Sequence, residues 1–175
     1  MRKNRTVIVA VLALLALASL ALLSRQHSTR ALTLDAQQAS IVFVCQNGVA
    51  MSVWSALTFD RLATERGLRL RATSRAATPS FAAVPPLMKL ALALEGFRVG
   101  SYRPQVISAA DVQRADRVIL IDTDLPASTS AAGAAIERWG GFPPMREQYF
   151  ASRAALRTRV EELVARLAAA AEPTR

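Results

Sequence analysis

The stretch SIVFVCQNGVAMSVWSAL, residues 40–57, reads as a strand, a tight loop and a helix in direct succession. Ser40 to Val44 is a short, β-branched apolar run, the composition of a buried strand in a parallel sheet. Cys45 to Ala50 form a small-residue loop, and Ser52 can cap a following helix that stops at Gly67. Val53, Trp54, Leu57, Phe59 and Leu62 put apolar side chains on several faces of that helix, which predicts deep burial. The loop therefore carries a lone Cys at a strand end, just before a helix N-terminus. Exposed amides and the helix dipole make such a place an anion cradle and favour the nucleophilic thiolate. Ser52, seven residues on, can donate a hydrogen bond back to the sulfur. The same placement also fits an inert cysteine that packs the strand end.

Downstream, Leu68 to Thr73 alternates Leu and Arg, the pattern of an edge or half-exposed strand. Pro85 and Pro86 open a helix whose Leu87, Leu90, Ala91 and Leu94 share one face, with Gly96 as its stop. Ser108 followed by Asp111 predicts a capped short helix to Ala115, and Arg117 to Ile121 a buried strand. Leu156, Val160, Leu163, Val164 and Leu167 give a helical stripe near the C-terminus. The order β-α-β-α-α-β-loop-α predicts a three-layer α/β sandwich around a mostly parallel sheet. Its ligands are expected beyond the carboxyl ends of the strands.

Upstream, Arg2, Lys3 and Arg5 precede an apolar run from Val7 to Leu23, broken only by Ser19. As a helix this run is roughly 25 Å long, close to the ~30 Å hydrocarbon core of a bilayer. Residues 1–24 are therefore expected to be a hydrophobic helix, either an uncleaved signal anchor or a signal peptide cut after Ala18. The basic N-terminus should stay cytoplasmic. An anchor would leave the domain outside the cytoplasm, in the periplasm, and cleavage would release a soluble exported protein. Residues 25–39, with His27, read as a polar stalk, and the domain spans 40–172.

Composition narrows the remaining classes. Among 175 residues there are 22 basic and 13 acidic ones, a formal charge of +9, with 52% apolar. Five of the basic residues (Arg2, Lys3, Arg5, Arg25, Arg30) flank the apolar run, so residues 31–175 carry 17 basic and 13 acidic side chains, a formal +4. No basic stripe with interleaved aromatics stands out there, which makes nucleic acid an unlikely partner. One Cys and one His exclude a disulfide framework, two-His metal motifs and cysteine-cluster metal sites within one chain. No metal and no cofactor is expected.

The strand-Cys-loop-Ser segment resembles the phosphate-binding loop of the low-molecular-weight protein tyrosine phosphatases and the related arsenate reductases. That family has a strand ending in Val-Cys, five residues, then Arg-Ser and a helix. The likeness extends to Ala-Thr-Ser at 72–74, LEGFRVGSYRPQVIS at 94–108, ADRVILID at 115–122 and RWGGFPP at 138–144, and covers roughly residues 40–170. It implies a four-stranded sheet, Cys45 as nucleophile, Ser52 as its hydrogen-bonding partner, and an anion-binding loop of Gln46, Asn47, Gly48, Val49, Ala50 and Met51. Arg103 falls on the family's Ser-x-x-Arg segment, which implies a salt bridge there, and Trp139 falls near the site mouth.

Two departures matter. Where the family has Arg, whose guanidinium grips two phosphoryl oxygens, this chain has Met51. A thioether has no charge and donates no hydrogen bond, and losing one oxyanion donor typically costs ~10²–10³ in turnover. Where the family has an Asp-Pro acid, RWGGFPP puts Pro143 and Pro144, and Glu137, Glu147 and Asp124 are the weak substitutes. Gln46-Asn47-Gly48 also replaces the family's frequent x-Gly-Asn, a change the loop can absorb because Asn and Gly both tolerate left-handed conformations. With Cys45 alone, arsenate reduction by an intramolecular cysteine relay is excluded.

Three readings remain open at this point. One is a membrane-tethered, catalytically impaired phosphatase-like protein that binds a phosphorylated or other anionic ligand, or a protein partner. The second is an active phosphatase that works through a cysteinyl-phosphate. The third is a redox role in which Cys45 pairs between chains.

Overall fold

The structure, a computed structural model, describes residues 40–129 and 134–171. The apolar run 7–23, the cut after Ala18 and the stalk with His27 lie outside the described residues. Among the described residues, no helix is long and apolar enough to cross a membrane.

Four strands, β1 (Ile41–Cys45), β2 (Ala72–Ala76), β3 (Arg117–Ile121) and β4 (Ala135–Trp139), form one sheet in the order β2-β1-β3-β4. Every neighbouring pair is parallel, with Ile41 opposite Ala72 and Arg117, and Ile121 opposite Trp139. Among the described residues four helices connect and cover them: α1 (Met51–Glu65), α2 (Pro86–Leu94), α3 (Ala109–Arg114) and α4 (Tyr149–Ala171). Alternate residues of a strand point to opposite faces, and β1 feeds two cores. Ile41, Phe43 and Cys45 pack with Val53, Trp54 and Leu57 of α1 and Leu156, Val160 and Leu163 of α4. Val42 and Val44 pack with Val112 and Ala115 around α3 on the other face. This is the three-layer α/β sandwich, with a sheet that is wholly parallel.

Several local expectations need correction. The second strand lies at Ala72–Ala76, not Leu68–Thr73, and all five of its residues are buried although it is a sheet edge. Residues 68–71 only lead into it, with the Arg71 carbonyl accepting from the amides of Ser40 and Ile41. Its one charged side chain, Arg75, is buried in a bidentate pair with Asp111, 3.0 Å for each of two bonds. Asp111 also closes a capping box with Ser108 at the start of α3. The fourth strand takes Arg138 and Trp139 out of the expected loop. Trp139 is buried against Phe43, ring centroids 5.7 Å apart, and does not line the site mouth. Arg103 makes no salt bridge among the described residues and instead donates to the Ala82 carbonyl.

Helix α2 turns its leucine stripe outward: Leu87 is 80% exposed, Leu90 57% and Leu94 82%, while Leu92 is fully buried. Glu95, just past its end, fastens the helix to both neighbours. Its carboxylate accepts from Trp54 Nε1 and the Tyr149 hydroxyl and pairs with Arg153. Burial and the adjacent Glu95 hold the Tyr149 hydroxyl well above the ordinary tyrosine range, so it stays a donor.

Candidate functional site

Cys45 ends β1 at the carboxyl edge of the sheet, and the chain turns through residues 46–50 into α1. The turn is held by its acceptors. The Cys45 carbonyl accepts from Ala77 N–H at 3.0 Å, and the Gln46 carbonyl from Thr78 N–H at 2.8 Å. The Asn47 side chain accepts from Ser80 N–H at 3.0 Å, the Gly48 carbonyl from the Tyr102 hydroxyl at 2.9 Å, and the Gln46 side chain from Thr123 Oγ1. The donors are left over. Among the described residues, no protein acceptor meets the backbone N–H of Gln46, Asn47, Gly48, Val49 or Ala50. Gly48 is required here, because its φ is +65° and a Cβ would stand 2.9 Å from the Ala76 Cβ.

Ser52 is not the helix cap. The helix begins at Met51 with Ala50 before it and no side-chain cap, so the first-turn amides also stay open. The Ser52 hydroxyl is buried and turned toward Cys45, with Oγ 3.0 Å from Cys45 Sγ. Behind it, Ser74 Oγ donates to Ser52 Oγ at 2.9 Å, and the Tyr102 hydroxyl lies 3.1 Å from Ser74 Oγ. Burial raises the Tyr102 hydroxyl above its ordinary range despite the Ser74 hydrogen bond, which keeps it protonated and donating. With Ser74 donating, the Ser52 proton is free to point at sulfur, which suits a thiolate acceptor.

A cavity of about 800 Å³ opens above Cys45. Gln46, Asn47, Val49, Ala50 and Met51 line it, whereas Gly48 is buried against β2. Its far walls are largely apolar: Phe81, Pro85, Leu87 and Met88 on one side, Met145 and Tyr149 on the other. Met51, at the position where the resembling family has Arg, is thus a wall residue. Among the described residues, Arg146 is the only basic one lining the cavity, and Asp122 the only carboxylate. Sequence reasoning missed both, and also Ser74 and Tyr102, which come from segments distant in the chain.

None of the substitute acids lines this cavity. Glu137 is in β4, bonded to Trp139 Nε1 and Arg166 and paired with Arg117. Burial alone would raise its carboxyl, but these partners outweigh it and hold it below the ordinary range. Asp124 is an exposed partner of Arg138, and Glu147 is exposed on the loop before α4. Asp122 adopts φ 45° at the end of β3, and its two oxygens accept the N–H groups of Gly141 and Phe142 at 2.9 and 3.2 Å. It thereby fastens the loop that carries Pro143 and Pro144. Among the described residues, no group of three or more His, Cys, Asp or Glu side chains could hold a metal.

No family model matches the chain, and no curated protein does. Solved structures do match. An arsenate reductase from Archaeoglobus fulgidus is 21% identical, with a TM-score of 0.56 over 71% of this chain and 98% of its own. YfkJ from Bacillus subtilis is 18% identical, with a TM-score of 0.67 over 77% and 98%. SP-PTP, a low-molecular-weight protein tyrosine phosphatase from Streptococcus pyogenes, is 15% identical, with a TM-score of 0.60 over 74% and 93%. The fold is the one these arsenate reductases and small phosphatases share, as the resemblance implied.

Proposed function

We propose that the chain is a membrane-tethered, low-molecular-weight-phosphatase-like protein that binds an oxyanion, such as a phosphorylated group, and turns it over poorly. The observation that carries this reading is the loop over Cys45, whose backbone N–H groups have no protein acceptor among the described residues while Met51 occupies its last position. Open amides at a helix start attract an anion without any side-chain charge. Turnover needs more. A transferring phosphoryl group spreads charge over its equatorial oxygens, and a bidentate guanidinium is the group that matches them. Arg146 adds a cation at the cavity wall, which supports capture of an anion rather than its in-line displacement. The leaving group also lacks a free carboxylic acid, because Asp122 is engaged with two amides. Residues 7–23 are the proposed tether, which would place the domain outside the cytoplasm.

The hydrogen-bonded Cys45–Ser52–Ser74 row favours a second reading, an active phosphatase using a cysteinyl-phosphate. Hydrolysis of a small aryl phosphate separates the two. The first reading expects a rate little above that of the Cys45→Ser variant, and a robust rate that Cys45→Ser abolishes establishes the second.

A further inference from the structure

Helix α2 presents Leu87, Leu90 and Leu94 to solvent at i, i+3, i+7 spacing, a continuous apolar stripe along one face. Phe150 of α4, 78% exposed, extends the stripe, since it shares a shallow groove with Leu94, Arg153 and Arg157. The surroundings are basic. Between residues 78 and 104 the chain carries Lys89, Arg98 and Arg103 against Glu95 alone, and the Glu95 carboxylate is engaged with Trp54, Tyr149 and Arg153. Large exposed leucines and phenylalanine in one patch mark an interaction surface. A rim of Lys and Arg around such a patch is the composition of elements that lie in an anionic lipid interface.

The chain itself supplies the nearness. Residues 24–39 join the proposed membrane segment to Ser40, and sixteen residues span at most about 55 Å. With the tether proposed above, that length keeps the domain close to a lipid surface. We propose that Leu87, Leu90, Leu94 and Phe150 dock the domain onto the anionic lipid surface into which residues 7–23 insert. Phe81 and Leu87 also line the cavity above Cys45, so docking brings the cavity mouth to the lipid interface. For proximity, the inference rests on the tether reading above.

The test uses the full chain in phosphatidylglycerol–phosphatidylcholine vesicles. An environment-sensitive fluorophore is attached at Leu90→Cys in a Cys45→Ser background, and at Gln113→Cys on α3 as the exposed control. Docking predicts a blue shift at position 90 and quenching by brominated acyl chains, with neither at position 113. Both effects should weaken in pure phosphatidylcholine and vanish when Leu87→Asp and Leu94→Asp are added. Equal solvent exposure at the two positions overturns the proposal. So does a blue shift at 90 that brominated lipid does not quench, because a second copy or another protein segment then covers the face. Alkaline carbonate extraction of the same vesicles reports on residues 7–23 separately, and phosphate titration reports on the loop. Failure of the tether or the anion site is thereby distinguished from failure of the docking face.

Discussion

Ser52 Oγ lies 3.0 Å from Cys45 Sγ, within the first turn of an uncapped helix and behind a loop whose amides face no protein acceptor among the described residues. The immediate neighbour of that serine is Met51, which lines the cavity above Cys45. Ser74 donates to Ser52 Oγ, which leaves the Ser52 proton free for the sulfur. Hydrogen bonds to charged groups contribute about 1.5–3 kcal/mol. Ser52→Ala should therefore slow alkylation of Cys45 by iodoacetamide at neutral pH by about tenfold, read as the labelling rate of the folded protein. An unchanged rate would mean that the serine packs the loop without supporting a thiolate.

Asp60 of α1 is buried and accepts the Ala72 N–H at 2.7 Å, and burial pushes its carboxyl up to about 6, against the opposing effects of that bond and Arg71. The folded state then keeps a proton that the unfolded chain loses, so stability is fully present below about pH 4 and is eroded as pH rises through 6. Asp60→Asn keeps the acceptor and removes the charge. It should raise stability at pH 7 by about 2 kcal/mol and have little effect at pH 3.5, measured by urea denaturation at the two values.

Asp111 behaves in the opposite sense. Burial would raise its carboxyl, but Arg75 and Ser108 outweigh it and hold it below the ordinary carboxylate range. Its stabilisation is present above about pH 4 and is lost as pH falls through the lowered value. Asp111→Ala strands Arg75, which is only 4% exposed, in the sheet layer. Removing one partner of a buried pair costs about 3–5 kcal/mol, and a large drop in the urea midpoint at neutral pH is expected.

The contiguous part of this architecture was legible in the sequence. The β1–loop–α1 unit, β3 and the buried stripe of α4 each carry a local apolar pattern, and the Ser108–Asp111 box declares its own helix start. The rest depends on partners distant in the chain. β2 consists of Ala, Thr, Ser, Arg and Ala, so it has no apolar signature. Small residues suit the close packing of α1, and Arg75 is satisfied by a residue 36 positions away. The Leu-Arg alternation just before it mimicked a strand. In α2 the periodicity of Leu87, Leu90 and Leu94 was real, but periodicity does not say which side the protein covers. Ser74 and Tyr102 reach Ser52 and Gly48 only through the fold. Cys45, Ser52 and Met51 were found because they lie within eight consecutive residues, the segment that carries the family resemblance.

The account stands most directly on Met51. Phosphate titrated calorimetrically into the wild-type chain and into Met51→Arg measures the loop with and without the guanidinium. A cradle that lacks only its cation predicts weak binding by the wild type and at least tenfold tighter binding by Met51→Arg, the worth of a charge-assisted hydrogen bond being about 1.5–3 kcal/mol. Equal affinities for the two proteins would contradict the account, because the loop amides would then not be arranged around an oxyanion.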